Sequence, residues 1–179
     1  MGVKRGRDNY NDVLVKGINK LLSSRLYVGI PAENSARDDD SGVTNAQLGW
    51  INEKGSPLQN IPARPFLAPG VASVKNDIIA ALKKIGAEAL GTKENKEARV
   101  QQGLTALGLH VAGAVQEYMS DPGHFEPLAE ATIEARKRKG MVAPFAPLKE
   151  TGQMWRSIKP VIRPKTPANP LKKREDEGF

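Results

Sequence analysis

Residues 48–70, LGWINEKGSPLQNIPARPFLAPG, decide how this chain is read. Just before them, Thr44-Asn45-Ala46-Gln47 matches a capping box. The Thr44 hydroxyl takes a free helix amide and Gln47 reaches back to the Thr44 amide. A short amphipathic helix follows through Leu48, Trp50 and Ile51 to Lys54. Gly55 supplies a left-handed stop and Pro57 prevents continuation. Pro62 and Pro65 hold Ile61 and Arg64 extended. Proline donates no ladder bond, so residues 61–66 are expected as an edge or a crossing strap rather than a central strand. The strap is expected to set where a long helix starts. Arg64 is expected to tie the strap to the sheet through carbonyls or to reach Glu53, the alternative being a solvent-facing arginine.

Working outward, the N-terminal side holds a basic arm over residues 1–7 and a helix capped by Asp8 or Asn9. Val13, Leu14, Ile18, Leu21 and Leu22 share its buried face. Gly17 weakens this helix by about 1 kcal/mol relative to alanine. Residues 25–31, RLYVGIP, read as a strand closed by proline. An acidic loop with Asp38, Asp39 and Asp40 follows. It fails as a calcium loop, because Gly42 and Gly49 stand where the fifth and twelfth ligands belong.

On the C-terminal side, one long helix is expected over residues 66–91, with Val74, Ile78, Leu82, Ile85 and Ala89 as its stripe. A second runs over residues 96–120 on Val100, Leu104, Leu107, Val111, Val115 and Tyr118. Gly103, Gly108 and Gly113 recur along it and suggest close helix approach. The two make a helical hairpin. Residues 128–139 form a third helix ending in Arg136, Lys137, Arg138 and Lys139, with Gly140 as its stop. A short turn or helix at residues 151–156 leads to a proline-interrupted edge strand over residues 157–163. Residues 164–179 are too polar to fold alone. The expected organisation is a single domain over residues 1–163 followed by an extended tail over residues 164–179.

The chain has 179 residues, a net charge of +7 and no cysteine. Cysteine's absence excludes disulfides, thiolate zinc sites and cysteine nucleophiles, and suits a reducing cytoplasm. A basic balance favours contact with nucleic acid, acidic proteins or anionic membranes, or serves solubility. No apolar run is long enough to span a bilayer, and no signal-peptide pattern opens the chain. Catalytic residues are scarce. His110 lies beside a helix stripe and reads as a packed or interface residue. His124 and Glu126 are the weak basis for a hydrolase reading, without metal-ligand spacing or a nucleophile. No phosphate-cradling glycine loop or nucleophile elbow occurs. Arg136, Lys137, Arg138 and Lys139, with Lys4, Arg5 and Arg7, are the candidate footprint for a sequence-blind DNA contact. Aromatic residues do not interleave these basic residues, which argues against a single-strand stacking platform. Trp155 and Arg156 are the interface candidates, because Trp and Arg carry binding energy out of proportion to their number.

Several of these segments in order carry a resemblance: VGIP (residues 28–31), NAQLGWINEKGSP (45–57), IPARPFLAPGV (61–71), PLAEATIEARKRKG (127–140) and PLKETGQMWRSI (147–158). Together they resemble the tail-completion, or neck, proteins that join head to tail in long-tailed bacteriophages. Met154 and Trp155 stand where a smaller aliphatic is common in that family. The resemblance implies an α+β subunit: a small, mostly antiparallel sheet packed with an N-terminal helix and a long helical hairpin, with extended terminal arms. It implies a structural virion protein with no catalysis and no cofactor. Its partners would be further copies of itself in a ring of six, a head-side connector or adaptor, a tail terminator or tail tube protein, and genomic DNA in the channel. It would be made in the host cytoplasm and reside in the virion. Arg64, Phe66, Trp155 and Arg156 are then the expected interface residues. A basic, sequence-nonspecific DNA-binding protein is the alternative.

Overall fold

The computed structural model describes residues 4–37, 42–91, 95–141, 144–148 and 151–165. In chain order the elements are α1 (Lys4–Ser23), β1 (Ser24–Gly29), α2 (Asn45–Lys54), α3 (Leu67–Ser73), α4 (Lys75–Leu90), α5 (Lys96–Tyr118), α6 (Glu130–Arg138), α7 (Gln153–Arg156) and β2 (Lys159–Pro164). The central element is α5. It buries Val100, Leu104, Leu107, Val111 and Val115, the spacing of one helix face. Two apolar clusters meet along it. One gathers Ile85 and Ala89 of α4 around Val100, Leu104 and Leu107. The other gathers Phe66, Phe125, Leu148, Met154 and Ile158 around Ala112 and Val115.

The expected α+β subunit, with helices packed on a small, mostly antiparallel sheet, is not what forms. Seven helices among the described residues carry the fold, and the sheet is one unclosed ribbon of two antiparallel strands, β1 and β2. The physical reason lies in proline. Pro160 and Pro164 fall within β2, Pro31 follows β1, and Pro62 and Pro65 keep the strap from adding a strand. A two-stranded ribbon cannot hold an independent core, so its inner face leans on α5. The close approach requires Gly108, where a Cβ would stand 2.5 Å from the Pro160 Cβ and 2.8 Å from Leu26 Cδ1.

Other boundaries moved as well. α1 begins at Lys4 rather than after a cap at Asp8 or Asn9, so residues 4–7 of the expected arm are helical. Gly17 is buried rather than merely tolerated. A Cβ there would meet the Ala89 carbonyl oxygen at 2.6 Å, so this is where α1 crosses the end of α4. The single helix expected over residues 66–91 is two, α3 and α4, broken at Val74 with φ −111° and ψ 24°. The break lets α3 set Gly70 against Val115, where a Cβ would come within 2.8 Å of the Val115 backbone, while α4 turns to pack along α5. The stripe of α4 rotates accordingly. Ala81 packs inward and Leu82 stands exposed. Residues 1–3, the acidic loop at Asp38, Asp39 and Asp40, and residues 166–179 of the expected tail lie outside the described residues.

Candidate functional site

The segment at residues 44–70 builds a tightly bonded node. The capping box of α2 is complete: Gln47 N donates to Thr44 Oγ1 at 3.2 Å, and Thr44 N donates to Gln47 Oε1 at 2.8 Å. Gly55 stops α2 at φ 76°. The chain then bends back through Asn60, at φ 53°, and Ile61 pairs with Ser56. The strap therefore crosses α2, and its Arg64 amide donates to the Asn52 carbonyl at 2.6 Å.

Glu53 closes the node. Its carboxylate accepts from the amides of Phe66 at 2.8 Å, Leu67 at 2.9 Å and Ala68 at 3.3 Å. These amides open α3 and have no partner within the helix. A carboxylate there also favours the positive end of the helix dipole. Arg64 does not reach Glu53 or the sheet. Its Nε donates to the Glu126 carbonyl at 3.3 Å, tying the strap to the loop after α5. Phe66 is 2% exposed and packs in the core beside Val115 and Met154.

A second joint lies where α2 meets α7. Asn45, 1% exposed, donates through Nδ2 to Ser157 Oγ at 3.2 Å and to the Ala36 carbonyl at 3.1 Å. Arg37 Nη1 donates to Asn45 Oδ1 at 3.1 Å. Asn52 Nδ2 lies 3.9 Å from the Met154 sulfur. The interface candidates of α7 turn toward their own chain. Trp155 is half-buried and bonded to Gln116, and Arg156 donates to the Thr151 carbonyl at 3.2 Å beside Gly152. The sequence pattern missed Gln116 and the joint-forming roles of Asn45 and Glu53, since a polar residue at a helix joint carries no periodicity. The nearest signal was the adjacent capping box.

One member of the basic run turns inward. Arg136 is 8% exposed and its Nη1 donates to the Ala146 carbonyl at 2.7 Å. Lys137 pairs with Glu134 at 2.6 Å, and that hydrogen bond raises its pKa above the ordinary lysine value. Arg138 and Lys139 are exposed at the helix end. Of the histidines, His110 bridges the hairpin to Asp77 at 3.1 Å. The His124 ring stacks on Tyr118 with centroids 3.9 Å apart, and its Nδ1 lies 3.1 Å from the Tyr118 carbonyl. Stacked and bonded this way, His124 is held against the end of α5, and the residue it approaches with Nε2 is Asp121, at 3.6 Å. Among the described residues no three His, Asp or Glu side chains are grouped to hold a metal, and no helix is long and apolar enough to cross a membrane.

An apolar groove of about 630 Å³ runs beside the node, between β1, α2 and α3. Val28, Ile30, Phe66, Leu67 and Val71 line it, and Trp50, 66% exposed, stands at its rim. No protein-family model, curated protein or solved structure matches this chain. Its function therefore rests on its own residues and geometry.

Proposed function

We propose that this chain is a structural subunit of a bacteriophage neck. It assembles as a ring, of six copies, that completes the tail and joins it to the head-side connector around the DNA passage. A tail terminator or tail tube protein is its partner on the other side.

One observation carries the reading. The two segments on which the resemblance chiefly rests, one around NAQLGWINEKGSP and one around TGQMWRSI, lie far apart in sequence and meet in space. Asn45 of the first bonds Ser157 of the second, and Asn52 lies against Met154. The residues of these two segments thus do mechanical work. They lock α2 to α7, and through Glu53 and the strap they fix where α3 begins. A set of motif residues spent on joints suits a protein whose product is an assembly. Among the described residues the strongest candidate for chemistry, His124 with Glu126, offers no nucleophile beside the imidazole, and Glu126 meets Arg64 through its main-chain oxygen. The rival footprint at Arg136, Lys137, Arg138 and Lys139 loses Arg136 to the interior.

The test is direct. Native mass spectrometry and electron microscopy of the purified full chain should reveal closed rings. Lysates of a phage lacking it should contain separate filled heads and tails. A monomer at every concentration, together with normal joining in its absence, would overturn the proposal.

A further inference from the structure

The ribbon of β1 and β2 has two faces with opposite characters. Side chains alternate along a strand, so Leu26 and Ile162, which pack in the core, define the inner face. The outer face then carries Arg25, Tyr27 and Gly29 on β1, and Lys159, Val161 and Arg163 on β2. In register, Arg25 stands opposite Arg163, Tyr27 opposite Val161, and Gly29 opposite Lys159. Neither strand contains an acidic residue.

Like charges directly across a strand pair repel. The fold nevertheless sets Arg25 against Arg163 on an exposed face. Glu33 offsets part of this, with its Oε1 2.7 Å from Arg163 Nη2, but both groups are solvent-exposed and such pairs are weak. Arg25 and Lys159 make no ion pair among the described residues. Tyr27 is 49% exposed. These residues line an open concavity of about 530 Å³.

A surface built like this fits a polyanion. Protein–protein contacts keep charge at the rim and an apolar centre, whereas here cations dominate the face. Contacts to DNA are polar and strongly basic. Arginine forks match phosphate oxygens, and a tyrosine hydroxyl donates to them.

We propose that the outer face of the β1–β2 ribbon is a contact surface for the phosphate backbone of duplex DNA. Arg25, Lys159 and Arg163 supply the phosphate contacts and Tyr27 a hydroxyl between them. The contact is sequence-blind, because phosphates carry no base information. It does not depend on the ring reading.

The test is fluorescence anisotropy of the full chain with a labelled 20-base-pair duplex of mixed sequence. Three phosphate contacts predict an affinity loss of about 40-fold between 50 and 200 mM salt. Arg25→Glu/Arg163→Glu should weaken binding more than about tenfold at 50 mM salt and flatten its salt dependence. Lys83→Glu/Lys84→Glu, an equal charge change on exposed positions of α4, should weaken it less than about threefold. Lys159→Ala and Tyr27→Ala are milder variants of exposed residues and should weaken binding in the same direction, with circular dichroism confirming that they fold. No binding by the parent chain at 50 mM salt overturns the proposal, and so does an equal loss in both double variants. A third result would also overturn it: unchanged duplex binding in the ribbon variant with an altered mass in sedimentation, which assigns the face to a second copy of the chain. Measuring mass without DNA separates this outcome from failure of the ring reading.

Discussion

Trp155 and Gln116 exchange hydrogen bonds. The Trp155 indole Nε1 donates to the Gln116 carbonyl at 2.9 Å, and the Gln116 Nε2 donates to the Trp155 carbonyl at 3.0 Å. The same amide reaches the Ile158 carbonyl at 3.5 Å. The pair fastens α7, and the turn into β2, to α5. Trp155 therefore spends its polar end inside its own chain. Gln116→Ala removes the amide that serves two carbonyls and should cost about 2 kcal/mol. Trp155→Phe removes a single donor and should cost about 1 kcal/mol. Urea unfolding of the two variants checks the order. Equal stability in parent and Gln116→Ala would refute the joint.

The Glu53 carboxylate caps α3 from a different helix. Glu53→Ala leaves the buried-side amides of Phe66 and Leu67 without their acceptor, at a cost of about 2 kcal/mol. For a chain of this size that lowers Tm by about 6 °C. Glu53→Gln keeps an oxygen acceptor and loses the charge, so its loss should be about half as large. A thermal melt ranks the three proteins, and indistinguishable melts would remove the cap from the account.

The glycines of α5 look alike in sequence and should respond with opposite signs. Gly108→Ala drives a methyl into Pro160 and Leu26 and should destabilise by about 2 kcal/mol or more. At Gly113 a Cβ meets nothing within 4 Å, so Gly113→Ala should stabilise by about 0.5–1 kcal/mol through helix propensity. Denaturant midpoints of the two variants decide this. A loss at both positions would mean that Gly113 faces a neighbour absent from the isolated chain.

Arg25→Glu should separate stability from binding. It converts the repulsive pair with Arg163 into an attractive one, worth about 0.5 kcal/mol at low salt. That gain should vanish at about 1 M salt, where screening is complete within a few ångströms. Duplex affinity should fall in the same variant. A drop in both stability and affinity would indicate that Arg25 serves the fold.

How much was legible in the sequence depended on range. The capping box at Thr44 and Gln47, the stop at Gly55, the buried stripe of α5 and the two segments that became strands were all readable, because each is decided by neighbours within a turn or by a local period. The sequence also determined that no cysteine chemistry is open to this protein. Tertiary structure alone decided the rest. It broke the long helix at Val74, because α3 and α4 need different angles against α5. It kept the sheet to two strands, because proline-bearing segments can pair on one side only. It turned Arg136 inward, since a run of like charges on a helix projects in several directions and one of them met the Ala146 carbonyl. And it drew Arg25, Tyr27, Lys159 and Arg163 onto one face, from opposite ends of the chain, because strand register rather than sequence neighbourhood sets which side chains stand together.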